Sequence, residues 1–378
     1  DMDFALSEEQ EMLRKSARDF LSAECPKSLV REIEAGDLGY SPELWKKMAG
    51  LGWMGLILPE EYGGVEFSLL DMAVLFEEYG RAAAPGPMFS TMVLGALPIL
   101  DFGTDEQKKA LLPKIATGEL IMTMATAEPQ VNEEPKFIAT RAEARDGGYA
   151  ITGTKLFVPY AHIANYMLVV ARTEGAPGDD EGLTVFIVDA KATDIKLTAL
   201  VTIAADKQFE VVLDKVPVSN NDILGSLHKG LPMVNAILRK ATAIQCAVMV
   251  GGALQELELT AEHTKTRIQF DRPLGAFQAV QHRLADMFID IQGARWTAYQ
   301  AVWRLSEGLP ADREVAIAKA FGNIACQRVA ASAQQLHGGV GVDKDYDLHF
   351  YFRRAEALAL TLGSTPFHLK TLEAETGS

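Results

Sequence analysis

The sequence predicts an α+β protein made of three consecutive segments: a helical segment over residues 1–120, a β-rich segment over 121–224 and a helical bundle over 225–378. Helix-start signals precede apolar residues at helical spacing in the first segment. Short β-branched runs separated by turn dipeptides fill the second. Long stretches of helical period follow Gly230 in the third.

The helical reading of the first segment depends on its capping signals. Three residues that can cap a helix N-terminus precede apolar residues at helical spacing. They are Ser7, followed by Gln10; Ser41, followed by Pro42; and Thr104, followed by Gln107. The first and third pairs have capping-box spacing, and Pro42 occupies a first-turn position. We therefore expect helices to begin at these three places.

The sequence pattern changes at residue 121, where the middle segment begins. Its strand-like runs are FIATRAEA, YAITG, YMLVVAR, LTVFIVDA, IKLTAL and FEVVL, with the turn Asp146-Gly147-Gly148 between the first two. This pattern predicts a compact all-β domain that ends near residue 224.

The third segment contains the predicted helices 231–265, 276–307, 311–339 and 346–373. Long helices joined by short connections favour an antiparallel bundle. In the second of them, apolar residues recur every three or four positions and predict one buried stripe, formed by Phe277, Val280, Leu284, Met287 and Ile291.

Composition excludes several classes of protein. The 378 residues are 48% hydrophobic and carry a formal net charge of −15, which argues against a nucleic-acid partner. Apolar runs stay below the roughly 18 residues of a membrane span, so a cytoplasmic protein without a membrane span is expected. Cys25, Cys246 and Cys326 are predicted core residues, and the scattered histidines offer no metal site. The sequence contains no GxSxG hydrolase elbow and no Walker loop, and no GxGxxG motif follows a predicted strand.

Four segments occur in an order that carries a resemblance. They are Pro59-Glu60-Glu61-Tyr62-Gly63-Gly64, Gly153-Thr154-Lys155-Leu156-Phe157-Val158, Arg267-Ile268-Gln269-Phe270 leading to Gln278, and Gln335-Leu336-His337-Gly338-Gly339-Val340-Gly341. Each is weak alone, because an isolated glycine pair usually ends a helix. Together, on a helical–β–helical chain, they resemble the FAD-dependent acyl-CoA dehydrogenase family over essentially the whole sequence.

The resemblance implies a helical domain, a β-barrel or sandwich domain and a C-terminal four-helix bundle. It also implies α,β-dehydrogenation of an acyl-CoA thioester to the 2-enoyl-CoA, in which a carboxylate removes the α-proton and FAD accepts the β-hydrogen as hydride. Electrons then leave through an electron-transferring flavoprotein. In such families each subunit grips one flavin and donates residues to the ADP portion of its neighbour's flavin.

The donated half of that site is intact. The family's RxxF, its following Gln and its QxxGGxG match Arg267, Phe270, Gln278, Gln335, Gly338, Gly339 and Gly341. An arginine is a permanent cation suited to pyrophosphate, and glycines let backbone N–H groups approach phosphate oxygens. In this half, Asp271 replaces the more usual glycine.

The half that would grip the chain's own flavin departs from the family pattern. Glu128-Pro129 is followed by Gln130-Val131-Asn132-Glu133-Glu134, which puts Glu133 where the family has a serine. Such a carboxylate would face the anionic pyrophosphate. The threonine before Glu-Pro becomes Ala127, and Trp-Ile-Thr becomes Phe157-Val158-Pro159, so two hydroxyl groups are lost.

The catalytic base is also missing. The family's Glu-Gly-Thr aligns with Leu362-Gly363-Ser364, which makes Ser364 the counterpart of a cofactor-contacting threonine. The alternative base position aligns with Ala241. Neither Leu362 nor Ala241 accepts a proton. The neighbouring family Asp, Arg and Asp become Arg239, Thr242 and Arg354, and no spacing argument places another carboxylate at the substrate α-carbon.

The losses fall in one half-site and the matches in the other. This favours a non-catalytic subunit of a heteromeric acyl-CoA dehydrogenase, a heterotetramer of lipid catabolism whose homologous partner carries the glutamate. Three alternatives stay open: a self-sufficient homotetramer with a displaced base, a flavin-free binding or scaffold subunit, and a flavin monooxygenase or nitroalkane-oxidising relative.

Overall fold

A computed structural model describes residues 5–130 and 132–376. The chain forms two compact units. The first, called the helical unit here, comprises Asp1–Arg31, Ser68–Ala84 and Thr242–Ser378; the second, called the β unit, comprises Glu32–Phe67 and Pro85–Ala241. The division of the sequence at residues 120 and 224 stays a prediction.

The helices begin and end as follows: α1 Glu8–Glu24, α2 Lys27–Ala35, α3 Pro42–Gly50, α4 Leu69–Ala82, α5 Met88–Thr91, α6 Leu97–Phe102, α7 Asp105–Ala116, α8 Gly230–Thr266, α9 Gln278–Ser306, α10 Asp312–His337, α11 Leu348–Leu360 and α12 Thr365–Thr376. A short π-helix, Met92–Ala96, joins α5 to α6. The strands are β1 Met122–Ala125, β2 Arg141–Arg145, β3 Gly148–Pro159, β4 Tyr166–Arg172, β5 Leu183–Asp189, β6 Ile195–Leu200, β7 Gln208–Ser219, β8 Ile223–Leu224, β9 Ile268–Gln269 and β10 Arg272–Pro273.

The predicted helix starts are confirmed. The Ser7 and Gln10 side chains each accept a hydrogen bond from the other residue's backbone N–H, and Thr104 and Gln107 repeat this reciprocal pattern. The Ser41 hydroxyl accepts from the Leu44 N–H at 3.2 Å. Each cap satisfies donors that the first helical turn leaves unpaired.

The β unit contains one eight-stranded sheet with the order β6-β7-β3-β2-β4-β5-β8, and β1 lies parallel beside β4. Its buried face includes Ile151, Val169, Phe186 and Val211. The predicted strand FIATRAEA is wrong in its first half, because Pro135–Phe137 form a 3-10 turn and β2 begins only at Arg141. The N–H groups of the intervening residues bind a carboxylate instead of a neighbouring strand.

The last predicted helix, 346–373, is divided. α11 ends at Leu360 and α12 begins at Thr365, because Leu362 and Gly363 adopt φ values of 58° and 102°, which a right-handed helix does not accommodate. The predicted α9 stripe is buried only in part. Met287 and Ile291 are fully buried, whereas Phe277, Val280 and Leu284 are half-buried.

Helix α8 is long and apolar enough to cross a membrane by length and composition, contrary to the expectation from the sequence. Of its most apolar 18-residue window, 67% is buried inside the protein. A core helix passes the same test. Cys25, Cys246 and Cys326 are free and buried, as predicted. Among the described residues, no cluster of three or more His, Cys, Asp or Glu side chains suits a metal ion.

Helices α4 and α8 cross at a pair of glycines. A Cβ atom added to Gly80 would overlap the backbone carbonyl of Val248, and one added to Gly251 would overlap the carbonyl of Glu77. The crossing therefore leaves no room for a side chain at either position. This contact fixes α8 against α4 within the helical unit.

We predict that Gly80→Ala or Gly251→Ala destabilises the chain by about 3 kcal/mol, because the two backbones must separate to admit a methyl group. Urea unfolding followed by circular dichroism measures the loss. Gly322→Ala is the matched control: its Cβ meets nothing within 4 Å in the described chain, and it should raise stability by about 0.5–1 kcal/mol through helix propensity. Equal effects of all three changes would contradict the prediction.

Candidate functional site

Arg267 lies between the C-terminus of α8 and the hairpin formed by β9 and β10. Its N–H donates to the His263 carbonyl at 2.8 Å, and its carbonyl accepts from the Leu274 N–H at 2.9 Å. The side chain is exposed. Within residues 5–130 and 132–376, the guanidinium makes no hydrogen bond or ion pair, so a fixed backbone presents an uncompensated cation.

The hairpin turns at two residues, Phe270 and Asp271, with φ values of 52° and 62°. A two-residue β-hairpin favours positive φ at both central positions, and glycine or asparagine normally provides it. Phe270 is 86% exposed and touches Phe277 only by an edge contact with ring centroids 6.2 Å apart. Phe270 is thus an exposed aromatic residue on a strained turn.

The glycine turn follows α10. Gly338 adopts φ 62° and ψ −140°, a conformation open almost only to glycine, and begins the 3-10 turn Gly338–Val342. A Cβ on Gly341 would meet the end of the Gln334 side chain at 2.3 Å, so that side chain would have to move. A Cβ on Gly339 would meet nothing within 4 Å in the described part of the chain. The protein's own packing therefore does not explain the glycine at 339.

The structure brings six of the predicted cofactor-binding residues to one end of the helical unit. The His263 and His337 rings stack with centroids 4.3 Å apart, which places the end of α8 beside the end of α10. An open groove of about 660 Å³ between α9 and the last turns of α10 includes Gln335 in its lining. Gln278 is the first residue of α9, and a Cβ on Gly275 just before it would lie 3.3 Å from the Thr264 carbonyl, so the start of α9 lies beside the end of α8. We call this region the donor end; it comprises Arg267, Phe270, Gln278, Gln335, Gly338 and Gly339.

Ser364 lies elsewhere. It stands in the loop between α11 and α12, where its hydroxyl accepts from the Phe367 N–H at 3.4 Å and its carbonyl accepts from the His368 N–H at 3.2 Å. Asn323 of α10 contacts both sides of this loop: its amide donates to the Ala359 carbonyl in the last turn of α11 and to the Thr365 hydroxyl at the start of α12. Asn323 precedes Gln335 by twelve residues of α10, or roughly 18 Å of helix. In this chain, Ser364 starts α12.

The positions expected to carry the base are aliphatic and firmly held. Ala241 is fully buried on α8. Leu362 is half-buried at positive φ, and its carbonyl accepts from His368 Nε2 at 3.0 Å. The neighbouring Thr242 hydroxyl also approaches this carbonyl, at 3.5 Å. The loop that bears the family's glutamate is thus ordered here without an acid.

Arg354, which replaces a family aspartate, has a structural role. Its guanidinium donates to the Ala84 carbonyl, just beyond the end of α4. Tyr351 donates to the Arg81 carbonyl at 2.7 Å, and Lys27 donates to the Ala82 carbonyl. Three side chains therefore satisfy carbonyls at the C-terminus of α4, where cations are favoured by the helix dipole.

Glu128 is bound inside the β unit and is not available as a base. Its carboxylate accepts from Lys155 Nζ at 2.7 Å, from the Thr140 N–H at 2.9 Å and from the Ala139 N–H at 2.7 Å. Burial opposes its ionisation, but the Lys155 ammonium and these hydrogen bonds outweigh burial and lower the pKa of Glu128. Burial lowers the pKa of Lys155 to about 8.

The rest of the chain's own half-site lies on the same part of the sheet. The Leu156 N–H donates to the Ala127 carbonyl at 2.9 Å. Phe157 follows at φ 52°, within an irregularity of β3, and is 59% exposed, and Pro159 ends the strand. Neither Ala127 nor Pro159 supplies a hydroxyl. Glu133 is exposed, and Val131 lies outside the described residues.

One unusual acid was missed by the sequence analysis. Glu256 on α8 is 1% exposed, and its Oε1 has no hydrogen-bond partner among the residues described. It lines a cavity of about 50 Å³ with Cys326 and Tyr351. Burial, followed by the charge of Glu356, raises its pKa well above the ordinary value. Burial therefore favours the protonated form of Glu256, which is a poor general base. In the sequence it stands beside Gln255 and Glu258, so nothing marks it as buried.

The comparisons agree with the fold over nearly the whole chain. Models of the acyl-CoA dehydrogenase N-terminal, middle and C-terminal domains match residues 7–119, 123–216 and 228–376. Acyl-CoA dehydrogenase FadE27 of Mycobacterium tuberculosis is 32% identical, over 99% of this chain and 98% of that protein.

Two solved structures are similar in fold and sequence. A structure titled "Tcur3481-Tcur3483 steroid ACAD G363A variant" has a TM-score of 0.89 and 34% identity, and covers 98% of both chains. The ChsE4-ChsE5 complex from Mycobacterium tuberculosis has a TM-score of 0.92 and 31% identity, and covers 100% of this chain and 99% of that one.

Fold and site together are those of a flavin-dependent oxidoreductase with helical and β domains. The chain belongs to the acyl-CoA dehydrogenase family, whose members are oxidoreductases that act on the CH–CH bond of acyl-CoA thioesters.

The described residues fit one part of FAD. At the donor end, a free guanidinium, a glycine turn with an open Cβ position and an exposed aromatic ring suit the ADP portion. In the β unit, the hydroxyl-bearing contacts of the family are absent at Ala127 and Pro159, and Glu128 is fully engaged. The chain therefore has, at the donor end, groups suited to the ADP portion of FAD, and at Ala127 and Pro159 it lacks two hydroxyl groups of the family pattern.

We predict that Asp271→Gly stabilises the chain by about 0.5–1 kcal/mol, because glycine adopts the φ of 62° without the steric cost of a Cβ. Thermal unfolding of the full chain measures the gain. Gln269→Gly in the adjoining strand β9 is the control and should not stabilise. A loss of stability in Asp271→Gly would show that the carboxylate makes a stabilising contact at the turn.

We predict that Lys155→Met costs about 3–5 kcal/mol, because it leaves Glu128 as an unpaired buried carboxylate. The double variant Lys155→Met/Glu128→Gln should recover most of this loss, as measured by urea unfolding. Lys196→Met, at an exposed position of β6, should change stability by about 0.5 kcal/mol or less. A double variant no more stable than Lys155→Met would refute this account of the pair.

Proposed function

We propose that this chain is the base-lacking subunit of a heteromeric acyl-CoA dehydrogenase, where it completes the FAD site of a homologous subunit that carries the catalytic glutamate. One contrast supports this proposal. Leu362 and Ala241 are aliphatic at both positions where the family carries its base, whereas the donor end keeps every residue that matches the family motifs. The complex would be a heterotetramer of lipid catabolism that acts in the cytoplasm and passes electrons to an electron-transferring flavoprotein.

Each donor-end group has a defined part in this proposal. The guanidinium of Arg267 pairs with the pyrophosphate, and the N–H groups of the Gly338-Gly339 turn donate to its oxygens. Phe270 covers the adenine side, while Gln278 and Gln335 supply neutral hydrogen-bonding groups. When bound, FAD supplies the hydride acceptor for α,β-dehydrogenation, and the partner's glutamate removes the α-proton.

Two of the similar structures are each named for two different polypeptides, which supports a two-subunit arrangement. One of them is named a steroid acyl-CoA dehydrogenase. A bulky acyl-CoA is accordingly the substrate class to try first with the complex.

The contacts of two buried acids argue against a self-sufficient enzyme with a displaced base. Glu128 is ionised but holds Lys155 and two backbone N–H groups. Glu256 is enclosed in the helical unit, where burial raises its pKa and favours the protonated form.

We predict that the chain purified alone lacks stoichiometric flavin, whereas co-expression with a Glu-bearing homologous subunit yields a yellow, active complex. In that complex, Arg267→Ala should weaken FAD retention about tenfold, equivalent to about 1.4 kcal/mol. Visible absorbance after gel filtration measures retention. Arg313→Ala, which removes an exposed cation at the opposite end of α10, is the matched control.

Leu362→Glu in the chain alone tests whether the missing acid is the only defect. No turnover of acyl-CoA should appear, because the β unit still lacks the flavin-gripping contacts. Stoichiometric flavin together with turnover by the unmodified chain would overturn the heteromer proposal.

A further inference from the structure

We infer that His263 and His337 are positioning residues, which hold Arg267 and the Gly338-Gly339 turn together as one preformed anion-binding end. The inference rests on the proposed function for the identity of the anion, the pyrophosphate of FAD. The geometric claim concerns this chain alone and is testable without the cofactor.

The two histidines join the separate segments of the donor end. His263 lies one turn before Arg267 on α8, and its carbonyl accepts the Arg267 N–H at 2.8 Å. His337 is the last residue of α10 and directly precedes Gly338. Their rings stack at a centroid distance of 4.3 Å and an interplanar angle of 24°. The apolar seam between α8 and α10 therefore ends in a stack of two polar rings, beside the groups that face solvent.

The hydrogen bonds of His337 fix its tautomer. Nδ1 lies 2.8 Å from the Ala333 carbonyl, which only accepts, so Nδ1 carries the proton. Nε2 then accepts from the Tyr346 hydroxyl at 3.0 Å. Tyr346 follows the glycine turn in sequence. One imidazole therefore ties the residue before the turn to a residue after it and closes residues 338–345 into a fixed loop.

The stack requires neutral rings. Burial lowers the pKa of both histidines, and for His263 the charges of His337 and Arg267 lower it further. Two neutral imidazoles stack face to face beside the Arg267 cation without repulsion. Apolar side chains would also fill this space, but they would not provide the directional bond to Tyr346 that positions the turn.

Hydrogen exchange of the full-length chain, purified alone, tests the positioning. His263→Ala and Tyr346→Phe should accelerate exchange in residues 338–346 about tenfold, because each removes one support of the loop. His263→Phe keeps a ring for the stack and should restore slow exchange. His282→Ala, which removes an exposed histidine on α9, should change nothing. Unchanged exchange in His263→Ala would overturn the inference.

Nitrogen-15 NMR of the imidazoles gives a second test. If the histidines only filled space, neither tautomer of His337 would be favoured. At neutral pH, His337 should appear as the neutral Nδ1–H tautomer, and Tyr346→Phe should alter its Nε2 shift. A predominant Nε2–H tautomer would refute the assigned hydrogen bonds.

Co-purification with the Glu-bearing subunit separates this inference from the proposed function. If both are correct, His263→Ala lowers FAD retention in the complex and His263→Phe restores it. If Arg267→Ala leaves FAD retention unchanged while His263→Ala still accelerates exchange, the proposed function fails and the positioning role stands.

Discussion

The crossing of α4 and α8 is the contact on which the helical unit depends. Gly80 and Gly251 let the two backbones touch. Charged groups close to these glycines form ion pairs and hydrogen bonds with further helices. Glu77 pairs with Arg295 of α9 at 3.2 Å, and Glu78 accepts two hydrogen bonds from Arg18 of α1. Both glutamates are almost fully buried. Since α8 is one continuous helix of 37 residues, this crossing also fixes where its last turn presents Arg267.

Local chemistry made part of the fold predictable. Helix starts such as Ser7 and Thr104 depend on groups three residues apart, so the sequence contains the whole interaction. The prediction of a strand over 137–140 was wrong because the contact that decides the structure there is distant in sequence. The group that binds those backbone N–H atoms is Glu128, whose own partner Lys155 lies 27 residues further along the chain. Periodicity carries no information about such a contact.

The sequence predicted which residues belong to the candidate site better than it predicted their arrangement in space. The motif matches supplied Arg267, Phe270 and the glycine turn, and the structure brings them to one end of the helical unit. The resemblance implies Ser364 as a cofactor contact, but in the structure this residue starts α12, because Leu362 and Gly363 break the helix before it. The stack that joins the two halves of the donor end involves His263, a position that none of the motifs includes.

The strained hairpin at Phe270 and Asp271 has a consequence for the order of events in assembly. Its geometry is set by hydrogen bonds within the chain. The conformational entropy of this hairpin is therefore lost during folding, before any partner or cofactor binds. In the proposed complex, association would then require little rearrangement on this side. In the proposed complex, slow ordering during cofactor loading would occur on the partner that grips the flavin ring.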